Sequence, residues 1–151
     1  MGGRRRAREF ALQALYAVDL SGATGGNALS GLWAGRLEEE SPDEPVSPEE
    51  LEFAQELVRG VLEEREELDA RIDAASLNWR LARMPVVDRN ILRLGAHELL
   101  SRADIPASVS INEAIELAKR FGGAESRAFV NGILDRIAAD TGRGGRRAKA
   151  R

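Results

Sequence analysis

Residues 110–137, SINEAIELAKRFGGAESRAFVNGILDRI, decide the fold. Ser110 followed three residues later by Glu113 forms a capping box, which predicts a helix start at Ser110. Ile111, Ile115, Ala118 and Phe121 recur at helical spacing, and Gly122-Gly123 ends the element. A second helix follows, with Val130, Ile133, Leu134 and Ile137 on one face. Two amphipathic helices joined by a short glycine turn fold back on each other and share their apolar sides. The rest of the chain then covers what this hairpin leaves exposed.

One residue of the hairpin sits awkwardly in a purely structural account. Each helical residue advances about 100° around the axis, so Phe129 falls roughly 80° from the centre of the apolar arc. It lies beside Arg136 and close to Arg127. Two readings stand: an edge residue of the core, or an aromatic ring among arginines that stacks on a base.

The 151 residues suffice for one domain, or two small subdomains with a real core. Hydrophobic residues make up 43% and charged ones 31%, the balance of a globular chain rather than a disordered one. Without cysteine there is no disulfide or thiol chemistry, which fits a reducing, cytoplasmic setting. His97 is the one histidine, so neither a zinc site nor a histidine-based triad is expected. No apolar run approaches the roughly 20 residues that a membrane span needs. Glu9, Gln13 and Asp19 interrupt what would be the apolar part of a signal peptide.

The net charge of −3 conceals an asymmetry. Arg4, Arg5, Arg6 and Arg8 make the front basic, and Arg143, Arg146, Arg147, Lys149 and Arg151 do the same at the back, leaving an acidic middle. Basic ends on an acidic body suit a local polyanion contact, most readily RNA. For the tail, a plain solubilising role is the competing reading.

The first helix is expected over residues 4–20, with Ala7, Phe10, Ala11, Ala14, Leu15 and Val18 on its core face. Arg5, Arg8, Glu9, Leu12, Gln13 and Tyr16 fall on the other side, which places the chain's one tyrosine with two arginines. Guanidinium groups that meet phosphates beside a ring that stacks on an unpaired base make an RNA-binding combination. Against it stands a second apolar stripe, Leu12, Tyr16 and Leu20, burying the helix on both sides. Residues 21–46 are the least regular stretch, rich in glycine, proline and the acids Glu38, Glu39 and Glu40, with a short helix expected around Leu29, Leu32, Trp33 and Leu37. Ser47-Pro48-Glu49-Glu50 opens a strong helix with core residues Ala54, Leu57, Val58, Val61 and Leu62. Leu68 and Ile72 carry the pattern to about Ala75, with a break near residues 64–67. A short helix or turn is expected over residues 77–85, then a largely apolar helix over residues 86–101 that contains His97, read as structural or partner-facing. No segment alternates like a strand, so the fold class is all-α.

Four blocks together resemble the NusB family: RRRAREFALQALYAVDLS, NWRLARMPVVDRNILRLGAHELL, DIPASVSINEAIELAKRF and FVNGILDRI. They cover nearly the whole chain apart from the insert and the tail, and several blocks in the family's order are far more specific than one motif. The resemblance implies one NusB-like domain of two packed helical subdomains, about 1–76 and 77–140, with a flexible tail over 141–151. It implies an antitermination factor that binds single-stranded boxA RNA of ribosomal RNA transcripts and acts with NusE, a small-subunit ribosomal protein. Other Nus factors and RNA polymerase would be reached indirectly. Carried over residue by residue, RNA contact falls on Arg4, Arg5, Arg6, Arg8 and Tyr16 at the front and on Phe129 of the FVNG block. Glu125 is the nearest counterpart of an acidic residue on the family's RNA side, and Arg127 stands near Ala128, where some relatives carry a lysine. Partner docking falls on Asp88, Arg89 and Arg93. The two aromatics already singled out by helix geometry, Tyr16 and Phe129, are thereby expected on one RNA-facing surface.

No glycine-rich phosphate loop and no nucleophile–base set appears, so an enzyme is not expected, and no cofactor is implied. The alternative function is a protein-interaction module that forms a homodimer, its RNA surface masked or vestigial.

Overall fold

The computed structural model describes residues 2–22 and 47–142, and all regular structure in them is helical. The short helix expected around Leu29, the acidic run at Glu38 and the basic tail from Arg143 lie outside the described residues. Among the described residues six α-helices follow in order: α1 (Gly2–Ser21), α2 (Pro48–Glu63), α3 (Arg65–Ala75), α4 (Val86–Ser101), α5 (Ala107–Phe121) and α6 (Ser126–Asp140). A single 3-10 turn, Leu81–Arg83, precedes α4. The chain divides into two compact units, Met1–Glu63 and Glu64–Arg151.

In the first unit α1 packs on α2. The capping box expected at Ser47 is present: the Glu50 amide donates to Ser47 Oγ at 3.2 Å, and that hydroxyl lies 3.4 Å from Glu50 Oε1. Ala54, Leu57, Val58 and Val61 are buried as expected, joined by Phe53, while Leu62 is half-buried. On α1 the apolar face of Ala7, Phe10, Ala11, Ala14 and Leu15 is buried too.

In the second unit α4 is the central element, packed against α3, α5 and α6. Its residues from Asn90 to Leu99 are buried without a break, because neighbours cover it on several sides. The break expected near residues 64–67 is real, and Glu64 marks it. Its carboxylate reaches α4, 3.0 Å from His97 Nδ1 and accepting from Ser101 Oγ at 2.9 Å. His97 is therefore a buried structural residue with a carboxylate neighbour. α3, expected in the first subdomain, packs on α4 and α6 and so belongs to the second unit.

The hairpin that decides the fold exists, but its entry differs from expectation. α5 begins at Ala107 with the extended Pro106 before it, and Ser110 lies one turn inside the helix. The Ser110 hydroxyl donates to Glu98 Oε1 at 2.7 Å instead of capping a helix end. A buried carboxylate on α4 needs a donor more than an exposed helix end does, since water serves the latter. The inward turn of Ser110 rotates the core stripe to Ser110, Ala114, Leu117 and Ala118, leaving Ile111, Ile115 and Phe121 half-buried. On α6, Val130, Ile133, Leu134 and Ile137 are fully buried as the spacing predicts.

Gly122 is required by closeness rather than by backbone angle. A Cβ there would meet Ser126 Cβ and Oγ at 2.6 Å and the Ala118 carbonyl at 2.8 Å. That space lets the Ser126 hydroxyl accept from the Gly123 amide at 2.9 Å and donate to Asp88 Oδ1 at 2.7 Å. One serine thus ties the hairpin turn to the start of α4.

Candidate nucleic-acid interface

On α1, the expected outer face divides. Arg5 and Tyr16 are eleven positions apart in sequence, so they share a side to within about 20°. Both are exposed, Tyr16 at 40%, with Gln13 between them and Leu20 beyond. Leu12 is buried, so the apolar stripe Leu12–Tyr16–Leu20 is split: its first member joins the core and the other two stand in solvent. Arg8, expected beside Arg5 and Tyr16, is only 4% exposed. Its guanidinium carbon lies 5.3 Å from the Phe53 ring centroid, and Arg4, one turn earlier, stands 4.4 Å from the same centroid. The correction has a simple cause: residues four apart share a helix side, and α2 presents an aromatic face to that side. Arg4 remains exposed on the outer end of this stack.

Arg6 is also spoken for. Its Nε and Nη2 donate to Glu50 Oε2 and Oε1, both at 2.6 Å, in a fork-to-carboxylate pair. Arg6 therefore bolts α1 to the capping box of α2. The bonds from Arg6 hold the Glu50 carboxyl below its ordinary pKa of 4.5 against the opposing effect of burial, with help from the Ser47 amide and hydroxyl bonds. Of the four front arginines, Arg4 and Arg5 face solvent, while Arg6 and Arg8 hold the helix that presents them.

In the second unit, Phe129 is half-buried on α6, at the margin of a stripe whose other members are sealed. Arg127 and Glu125 are exposed, Glu125 at the residue preceding α6 and Arg127 in its first turn. The three lie within five residues at the start of α6, where Arg127 and Phe129, two positions apart, point about 160° apart around the axis. Ala128 is exposed between Arg127 and Phe129.

The expected partner-docking set fares differently. Asp88 is 6% exposed and accepts from Ser126. Arg93 is 4% exposed; its Nε and Nη2 donate to the two carboxylate oxygens of Asp69 at 2.8 and 3.0 Å, and its Nη1 donates to Asn90 Oδ1 at 3.0 Å. These two are interior ties between α4 and its neighbours, corrected from surface contacts. Burial is tolerated there because Arg93 is ion-paired with Asp69 and Asp88 accepts a hydrogen bond from Ser126. Arg89 alone of the three is half-exposed. The partner-docking expectation did not foresee this, though the near-continuous apolar run of α4 signalled a helix covered on several sides.

Among the described residues no cluster of acidic or histidine side chains could hold a metal ion, and no helix is long and apolar enough to cross a membrane. Among what the geometry offers a ligand are Tyr16 with Arg5 in the first unit and the stretch from Glu125 to Phe129 in the second. An RNA strand has the matching chemistry: phosphates for the guanidinium groups, unstacked bases for the rings.

Comparison with known proteins agrees. The NusB family model matches residues 5–139. The transcription antitermination protein NusB of Myxococcus xanthus is 53% identical over 138 residues, covering 91% of this chain and 96% of that protein. Its counterpart in Sorangium cellulosum is 48% identical over 143 residues, covering 95% and 96%. Among solved structures, T. maritima NusB superposes with a TM-score of 0.79 at 38% identity, covering 91% of each chain. A chain from a crystal structure of antitermination factors NusB and NusE in complex with dsRNA gives 0.81 at 26% identity, covering 93% of this chain and 98% of that one. With a family model spanning both helical units and relatives at about half identity over nine-tenths of their length, the chain belongs to the NusB family.

Proposed function

We propose that the chain is a transcription antitermination factor that binds the boxA element of nascent ribosomal RNA and acts with NusE in the cytoplasm. Other Nus factors and RNA polymerase are engaged indirectly. Arg4, Arg5 and Tyr16 supply one RNA contact and Arg127 and Phe129 another, with Glu125 as a nearby acceptor for base or sugar donors. Arg6 and Arg8 act on the RNA indirectly, by holding α1 in place. Asp88 and Arg93 likewise support a partner surface from inside, and Arg89 is the residue of that set in a position to touch NusE.

The observation that carries this reading is the treatment of two aromatic rings. Tyr16 and Phe129 stay partly in water on helices whose core stripes, Ala7, Ala11, Ala14 and Leu15 on α1 and Val130, Ile133, Leu134 and Ile137 on α6, are sealed. Support also comes from a relative of known structure, a NusB in complex with NusE and dsRNA. Phosphate contacts supply affinity, stacking adds about 1–3 kcal/mol per base, and base-edge contacts supply sequence preference.

Affinity for a boxA-like ribo-oligonucleotide, with and without NusE, tests it. Phe129→Ala weakens binding by about tenfold or more, because one stacking platform is lost. Equal affinities for Phe129→Ala and wild type remove Phe129 from the interface. A dimer by sedimentation that neither binds RNA nor dissociates in its presence replaces the reading with the self-associating module.

A further inference from the structure

Two of the exposed large apolar side chains stand close together outside the sites above. Leu77 is 75% exposed and Trp79 54%, in the stretch that joins α3 to the 3-10 turn. This stretch is pinned. The Ser76 amide donates to the Ile72 carbonyl at 2.9 Å, the Trp79 amide to Ser76 Oγ at 3.3 Å, and the Leu81 amide to Asp73 Oδ1 at 2.6 Å. A segment held at both ends that keeps an indole in water is not built for the core, which loses that ring's burial. Arg80 and Arg83, also exposed, flank it.

The stretch is joined to the Phe129 helix by a direct bond. Arg136 Nε donates to the Ala75 carbonyl at 2.6 Å, at the residue before Ser76. Arg136 follows Phe129 by two turns, on the same side to within about 20° and about 10 Å farther along the axis. Between them Gly132 has no side chain, and the Arg136 Nη atoms lie 3.7 and 3.8 Å from where its Cβ would stand. The guanidinium is thus laid back along α6 toward Phe129. A track results: Phe129, the bare surface of Gly132, the Arg136 guanidinium, and the pinned turn that carries Trp79.

We propose that Trp79 is a second base-stacking platform, and that Arg136 and Arg80 draw the phosphates of the same unpaired RNA strand between it and Phe129. The proposal rests on the reading that Phe129 meets RNA. Aromatic rings with guanidinium groups beside them are the arrangement that sequence-tolerant single-strand binders use. Charge favours RNA over an apolar protein partner, because exposed Arg80 and Arg83 follow the indole in sequence.

The test uses the full chain and an unstructured ribo-oligonucleotide. In a Trp33→Phe background Trp79 is the sole tryptophan, and stacking quenches its emission as RNA is added. Trp79→Ala weakens binding by about tenfold, while Trp79→Phe retains most of the affinity. Because the ring is exposed, these variants keep the wild-type melting temperature. If Phe129→Ala weakens binding but Trp79→Ala matches wild type and the emission is unmoved, the second platform is overturned and the Phe129 reading stands. If Trp79→Ala instead abolishes NusE binding alone, the surface belongs to a protein. If the wild-type chain binds no RNA, the underlying reading fails with it.

Discussion

At the residue scale, the main lesson is that arginines at positions read as ligand contacts are in part structural. Arg6, Arg8 and Arg93 each carry a full positive charge, yet each is turned onto an acceptor or a ring within its own unit. The Arg6–Glu50 pair has a measurable signature. Its folded-state carboxyl titrates below 4.5, so the pair stabilises the fold above that pH, and the contribution fades as pH falls through the depressed value. Glu50→Gln is therefore less stable than wild type in urea at neutral pH, and the gap narrows in acid. A gap independent of pH counts against the pair. Phe129 was legible as marginal, and Tyr16 as lying off the core face, from helix angles alone, because their neighbours' apolar spacing fixes where the core arc ends. The fate of Arg8 was not: the same wheel puts it beside Arg5, and only the Phe53 ring on α2 turns it inward.

At the element scale, the helices with strong periodicity were readable nearly to the residue. The Ser47 capping box and the break at Glu64 were also visible, because both depend on residues adjacent in sequence. Ser110 misled for the opposite reason. It satisfies the local capping pattern, but its partner, Glu98, sits on another helix. The hairpin turn offers a direct check on the account of its glycines. Gly122→Ala forces a methyl against Ser126 and the Ala118 carbonyl, and costs about 1–3 kcal/mol. Gly123→Ala meets nothing nearer than Ser126 Oγ at 4.0 Å and leaves stability nearly unchanged. Thermal melts of the two variants separate them, and equal losses would contradict the role given to Gly122.

At the scale of the whole molecule, the proposed function makes RNA affinity depend on arginines that face water. If Arg4, Arg5 and Arg127 each meet one phosphate, log affinity falls against log salt with a slope of about −2, and Arg127→Ala makes it shallower by about 0.7. A fluorescence titration at several salt concentrations measures both, and a slope unchanged in Arg127→Ala removes that contact. The sequence by itself determined the helical class, the helix boundaries where periodicity was strong, the family, and which aromatics lay at the core margins. All of these follow from spacing along one chain, and spacing is what a helix converts into direction. The tertiary structure alone decided which charges are turned inside and which face water. An exposed arginine and one stacked on Phe53 are identical in sequence, and the difference lies in a surface supplied by residues more than forty positions away.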